Sequence, residues 1–201
     1  MTEALAVLGG YLLGSLPFGY WLPRVFRGED IRAQGSGNIG ASNVFRVYGR
    51  RLGTAVAVLD LGKGFAAASL GLWAGGALVG VLAGAAAMVG HARPVFLGFR
   101  KGGKMVATAG GATLALAPLA ALCCVAVWLL VFLLTRYASL ASIVTAVTMV
   151  ALVVLFGYPW PVIVFGAAGA TAVILMHRQN IRRLVSGTEH RFEHGRRPRR
   201  A

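Results

Sequence analysis

The sequence predicts an all-α, polytopic integral membrane protein of about seven transmembrane or partly spanning helices, with the N-terminus outside and the C-terminus cytoplasmic. Three observations carry that expectation. Of 201 residues, 57% are hydrophobic and 13% charged, with mean hydropathy +0.72; soluble domains hold about 45–50% apolar and about 25% charged residues. The apolar residues gather in runs of bilayer-crossing length, about 20 residues. Arginines crowd into some of the connecting loops and the tail, and such loops stay cytoplasmic.

The first run, 4–23, has only Thr2 and Glu3 between Met1 and its start. It lacks the basic leader and small-residue cleavage site of a signal peptide, so it is expected to remain as the first helix. The next apolar segments are 53–75 and 76–91. Segment 105–135 is about ten residues longer than one crossing needs and carries Pro118 near its middle. The stretch 137–176 is divided by Gly157-Tyr158-Pro159-Trp160-Pro161, because Gly and Pro stop helices and Tyr and Trp favour the interface.

Counting 105–135 as one helix gives six spans, and six fails on parity. The loop after the first run carries Arg24, Arg27, Arg32, Arg46, Arg50 and Arg51. The tail carries Arg178, Arg182, Arg183, Arg191, Arg196, Arg197, Arg199 and Arg200. Both must be cytoplasmic, so the number of crossings is odd. Reading 105–135 as two short helices hinged at Pro118 repairs this and returns Arg136 to the cytoplasm. No linker or repeat divides the chain, and 1–201 reads as a single membrane-embedded domain.

A net charge of +14 on a membrane protein reflects cytoplasmic loops facing anionic headgroups; without a nucleic-acid motif it does not point to nucleic acid. Cys123 and Cys124 are adjacent, a spacing that strains a disulfide, and no Cys/His pattern matches a metal site. Neither a metal nor a cofactor is expected.

Three polar clusters interrupt the apolar chain: 35–43 (GSGNIGASN) followed by Arg46, then Lys101-Gly102-Gly103-Lys104, then His177-Arg178-Gln179-Asn180. Each joins an apolar run to a basic loop. Glycines bring backbone N–H groups close to an anion, Ser and Asn add neutral hydrogen bonds, and arginine grips phosphate bidentately. Lys104 stands just before a helix, whose N-terminus attracts anions. Taken singly, each cluster is equally consistent with a solvated loop and ordinary cytoplasmic arginines. The clusters lie on one side of the membrane, joined by Ser139 and Ser142, and together they point to a phosphorylated, lipid-related substrate.

Two motif matches fail in context. Gly35-x-Gly37-x-x-Gly40 has the dinucleotide spacing, but no strand precedes it. The stretch Gly98 to Gly103-Lys104 imitates a P-loop, but Met105 replaces the hydroxyl that would hold magnesium. Asp60 and Lys63 lie within a span three residues apart. Intramembrane charge defaults to function, yet this spacing allows mutual neutralisation, so a structural role is assigned to both. His91, at a helix end, is likewise read as a structural hydrogen-bonder.

The run 35–46 (GSGNIGASNVFR) resembles the first motif of the bacterial acyl-phosphate-dependent glycerol-3-phosphate 1-O-acyltransferases (the PlsY family). Gly90-His91, Pro94-Val95-Phe96 and Gly102-Gly103-Lys104 with Val106-Ala107-Thr108 resemble the second. His177-Arg178, Asn180-Ile181 and Arg183-Leu184, with Gly187, Glu189 and Phe192, resemble the third. The likeness covers almost the whole chain, Leu59-Asp60-Leu61 and Lys63-Gly64 included. It departs at Ser42 (usually Thr), Arg93 (usually apolar or aromatic), the added basic Arg100-Lys101, and Met105, where glycine is expected.

The resemblance implies transfer of a fatty acyl group from acyl phosphate to the 1-hydroxyl of glycerol 3-phosphate, giving lysophosphatidic acid and phosphate at the cytoplasmic face of the bacterial inner membrane. Ser36, Gly37 and Asn38 are assigned to the acyl-phosphate side. Arg46, Lys104, Ser142, His177 and Asn180 are assigned to the glycerol-3-phosphate side, with Gly40, Gly102 and Gly103 shaping the phosphate loops. His177 is either general base or substrate ligand, the rival proton acceptor being the donor's own phosphate. Glu189 is expected to anchor the tail through an arginine. No His-x4-Asp follows any histidine, against acyltransferases that use such a pair on thioesters. The competing class is a transporter for a phosphorylated solute.

Overall fold

The computed structural model describes residues 1–192. Arg196, Arg197, Arg199 and Arg200, which supply half of the tail arginines, and His194 lie outside the described residues. Among the described residues the chain is helical, without strands: α1 Thr2–Gly14, α2 Phe18–Arg27, α3 Ala41–Tyr48, α4 Arg50–Ala92, α5 Val106–Leu116, α6 Pro118–Thr135, α7 Ala138–Leu155, α8 Trp160–Met176 and α9 Arg178–Val185. Among the described residues four helical segments are long and apolar enough to cross a membrane (α1 together with α2, α4, α6 and α7), or up to five if the bent pair α8–α9 counts as one span.

The breaks fall where Gly and Pro predict them. α4 reverses at Gly75 and Gly76, the latter at φ +73, a left-handed conformation that glycine adopts without cost. Its two arms pack antiparallel, with Gly84 beside Ala68 and Gly71 against the Val79–Gly80 backbone. The hinge between α5 and α6 is at Ala117, and Pro118 occupies the first turn of α6, where a missing N–H costs nothing. Gly157 (φ +66) and Pro159 separate α7 from α8. The first apolar run differs from expectation. It is not one helix over 4–23: α1 stops at Gly14, and α2 restarts beyond Pro17, whose ring cannot continue a helical hydrogen-bond ladder.

Small residues set the packing, as in membrane bundles that let backbones approach. Gly10 and Gly14 of α1 lie on Ala83 and Ala87 of the second arm of α4, and Gly64 and Gly111 bring the first arm against α5. The main apolar core joins Ala68, Met88, Ala112, Leu116, Met149, Val153, Val162 and Phe165 from α4, α5, α7 and α8. A second core of Ile31, Ile39, Val44 and Val56 lies under the polar loops. Ile39 and Val44 are buried, each stabilising by about 1.5–3 kcal/mol; Ile39 lies within the first glycine-rich cluster and Val44 directly after it. That cluster is therefore anchored at its middle and at its end.

Candidate active site

The three polar clusters converge on one cavity of about 940 Å³. The first cluster is shaped by Asn43, which the sequence offers as a hydrogen-bonding residue of the loop without naming its partners. Its Oδ1 accepts from Ser36 N at 2.9 Å, and its Nδ2 donates to Gln34 O at 3.1 Å and Asn38 O at 2.9 Å. Gly35 and Gly37 turn the chain at φ +55 and +68. Asn38 Oδ1 accepts from Gly40 N at 2.8 Å, while its Nδ2 donates to Gly102 O at 3.2 Å. Asn38 thus ties the first cluster to the second. Arg46, on the short helix α3, holds its guanidinium 4.8 Å above the Phe192 ring, and its Nε is buried without a hydrogen-bond partner.

In the second cluster, Gly102 N and Gly103 N donate to Ala92 O and His91 O at 2.9 and 3.0 Å, folding the loop back on the end of α4. Met105 then adopts φ +68 immediately before α5. The left-handed backbone that a glycine would favour is retained by a methionine. Lys104 Nζ donates to Asn180 Oδ1 at 2.5 Å. Burial first, then the nearby Arg183, Lys101 and Arg46, push its pKa down to about 8, against the opposing pull of Glu189. Lys101 is exposed and is not among the cavity-lining residues.

The third cluster is bent rather than straight. α8 ends at His177 and α9 leaves at 59°, so the i, i+3 spacing of His177, Asn180 and Arg183 runs across a break rather than along one straight helix. All three residues nevertheless line the cavity. His177 Nδ1 donates to Val173 O at 2.8 Å; a carbonyl can only accept, so the ring's other nitrogen is left as the functional one. Glu189 gathers the cluster: Oε1 accepts from Asn180 Nδ2 at 2.6 Å and Ser139 Oγ at 2.8 Å, and Oε2 accepts from Arg183 Nε at 2.7 Å. Burial alone would raise its pKa, but these three donors hold it below the usual carboxylate range. Ser142 Oγ donates to Ala138 O at 2.7 Å and accepts from Trp128 Nε1 at 3.2 Å.

Of the residues singled out by sequence, Ser36, Asn38, Gly40, Arg46, Lys104, Ser142, His177, Asn180, Glu189, Asp60 and His91 line the cavity; Gly37, Lys63, Gly102 and Gly103 do not. Asp60 and Lys63 form an ion pair at 2.7 Å, and Lys63 lies 2.8 Å from His91 Nδ1. Cys123 and Cys124 are free thiols. No group of metal-ligating side chains occurs among the described residues. Sequence reasoning missed Trp128 and Phe132, which lie within the apolar run 105–135 and carry no motif signal.

The cavity is polar at one end and apolar at the other. Lys104 at the start of α5 and Phe132 near the end of α6 both line it, and Phe132 meets Phe192 edge-on, at 5.2 Å between centroids. Hence α5 leaves the polar end and α6 returns to it. Away from the cations the walls are Leu114, Leu122, Val125, Leu129, Met149 and Phe165. Such a shape accepts an amphiphile with an anionic head.

Comparison with known proteins agrees with that shape. The family model described as glycerol-3-phosphate acyltransferase matches residues 4–187. A glycerol-3-phosphate acyltransferase of Synechococcus sp. (strain JA-2-3B'a(2-13)) is 48% identical over 192 residues, covering 96% of each chain. That of Aquifex aeolicus (strain VF5) is 43% identical over 194 residues, covering 96% of this chain and all of its own. Crystal structures of PlsY, an integral membrane glycerol 3-phosphate acyltransferase, superpose in the glycerol 3-phosphate form with TM-score 0.92 at 42% identity and in the lysophosphatidic acid form with TM-score 0.89 at 40% identity. Each comparison covers 96% of both chains. With its motifs gathered on one cavity and this likeness running nearly end to end, the chain belongs to the glycerol-3-phosphate acyltransferase family.

Proposed function

We propose that the protein transfers a fatty acyl group from acyl phosphate to the 1-hydroxyl of glycerol 3-phosphate, releasing lysophosphatidic acid and inorganic phosphate. The observation that carries this is the cavity's two-ended character: cations and amides at the polar end, and an apolar bay between α5, α6, α7 and α8. One end suits two phosphates and the other an acyl chain. A path for a polar solute has no use for the apolar bay, which favours the enzyme over the transporter.

Arg46, Lys104 and Asn180 hold the acceptor's phosphate, with Ser142 beside them. The loop of Ser36, Gly37 and Asn38 holds the donor's phosphate; Ser36 N and Gly37 N already donate to Asn43 Oδ1 and Gln34 O, so the Ser36 hydroxyl, which lines the cavity, is the group offered to it. The acceptor's hydroxyl oxygen then attacks the acyl carbonyl carbon, the carbonyl–phosphate C–O bond breaks, and phosphate leaves with the electron pair. An acyl phosphate is already activated, so orientation and charge neutralisation supply much of the rate. His177 Nε2 faces the acceptor as a hydrogen-bond partner. Burial first, and then the Lys104 charge, push the His177 pKa down, against the pull of the Val173 carbonyl and Glu189, which disfavours an imidazolium. The donor's phosphate therefore takes the hydroxyl proton.

The polar end is proposed to face the cytoplasm of the bacterial inner membrane, with the N-terminus outside. The test supplies purified protein with radiolabelled glycerol 3-phosphate and, separately, acyl phosphate, acyl-CoA or acyl carrier protein thioester. Lysophosphatidic acid forming from acyl phosphate alone is expected. Turnover on a thioester without turnover on acyl phosphate would refute the donor assignment.

A further inference from the structure

We infer that the buried Asp60–Lys63–His91 cluster is a positioning device for the loop that carries Lys104, an inference that rests on the phosphate-binding reading of Lys104 above. Lys63 and Asp60 are one helical turn apart on the first arm of α4, and each side chain is 2% exposed. The Lys63 ammonium forms an ion pair with Asp60 Oδ1 at 2.7 Å and two hydrogen bonds, to Leu16 O at 2.9 Å and His91 Nδ1 at 2.8 Å. The ammonium donates to Nδ1, so the ring proton of His91 sits on Nε2.

His91 ends the second arm of α4, and its ring and its backbone both meet the loop. Its carbonyl accepts from Gly103 N, and Ala92 O accepts from Gly102 N. The ring fills the space that any side chain at Gly103 would need, since a Cβ there would overlap Nε2. Lys104 follows directly, and Gly102 O takes the Asn38 amide of the other phosphate loop. The cluster thus links the end of α1, both arms of α4 and the glycine pair. A buried ion pair is no more stabilising than apolar packing of similar volume, and charge within a membrane span is costly. What this pair supplies is a single ring orientation, and with it a single placement for Lys104.

A size exchange between His91 and Gly103 tests this, with KM for each substrate and kcat measured separately. His91→Ala should raise KM for glycerol 3-phosphate about 10- to 100-fold, since misplacement by 1 Å costs up to about 10²-fold. It should leave KM for acyl phosphate within about threefold, matching the selective pattern of Lys104→Ala. His91→Gln, whose Oε1 can still accept from Lys63, should recover most of the loss. Gly103→Ala should be more damaging than His91→Ala, and the double variant should bind glycerol 3-phosphate better than Gly103→Ala alone, because the new methyl enters the space of the missing ring. Gel filtration and thermal unfolding verify folding; if Gly103→Ala does not fold, the two His91 variants decide. A fall in kcat with both KM values unchanged, as from a merely less stable enzyme, would overturn the inference. So would a His91→Ala enzyme with wild-type KM for glycerol 3-phosphate. Absence of wild-type turnover on acyl phosphate would instead remove the reading of the site beneath it.

Discussion

Lys104 offers a test in which pH is the perturbation. Its pKa is pushed down to about 8 by burial and neighbouring cations, so its charge changes within the range where the protein can be assayed. A lysine whose pKa is depressed is charged below that value and loses its charge as pH rises through it. At pH 7 about nine-tenths of the free enzyme carries the ammonium, and at pH 9 about one-tenth. The second ionisation of a phosphate ester lies near 6, so the ligand stays dianionic across this window. If only the charged form binds, KM for glycerol 3-phosphate should rise about tenfold from pH 7 to pH 9, or about 1.4 kcal/mol of binding. KM for the acyl donor should move much less. Lys104→Arg should flatten the profile, because guanidinium stays charged throughout, although its starting KM is higher for want of the lysine's contact with Asn180. Initial rates against glycerol 3-phosphate concentration at half-unit pH steps give the answer. A wild-type KM that is flat from pH 7 to pH 9, or a Lys104→Gln enzyme with the wild-type profile, would refute a direct phosphate contact.

Three further outcomes are expected. Arg46→Lys keeps charge but loses the bidentate fork, and should lower kcat/KM about 10- to 100-fold, the worth of a hydrogen bond to a charged group, with gel filtration unchanged; wild-type turnover would make Arg46 an ordinary loop cation. His177→Ala and Asn180→Ala should both act mainly through KM for glycerol 3-phosphate and retain the acidic inflection of the pH–rate profile, whereas loss of that inflection in His177→Ala alone would make His177 the general base. Arg136→Cys should be labelled by a membrane-impermeant thiol reagent only from the cytoplasmic side; external labelling would refute the proposed topology.

The fold was legible where Gly and Pro interrupt apolar runs, at Gly75–Gly76, Pro118 and Gly157–Pro159, because their backbone effects are local and sequence shows them directly. It was less legible at 4–27, where hydropathy continues across Pro17 and conceals the break. The bend at His177 was invisible for a related reason: no glycine or proline marks it. Its place is set by the contacts of α9 through Glu189 with Ser139 on α7, a pairing fifty positions apart in the chain.

The site shows the same division. A phosphate reading could be drawn from Arg46, Lys104 and the glycines because three such clusters recur, although each alone suits a basic cytoplasmic loop equally well. Roles defined by partners could not. Asn38 was assigned to the donor, yet its amide is engaged by Gly40 and Gly102, so any contact it makes with phosphate has to coexist with its work as a clamp between two loops. Met105 illustrates the opposite failure. The resemblance leads one to expect a glycine in the second loop, yet Met105 stands there at φ +68, partly buried against the main core. A left-handed residue other than glycine costs roughly 1–2 kcal/mol, and full burial of a methionine side chain would return about 1.5–3 kcal/mol, of which the partly buried Met105 recovers a share. Tertiary packing thus offsets part of the local strain and contributes to the geometry in which Lys104 is presented.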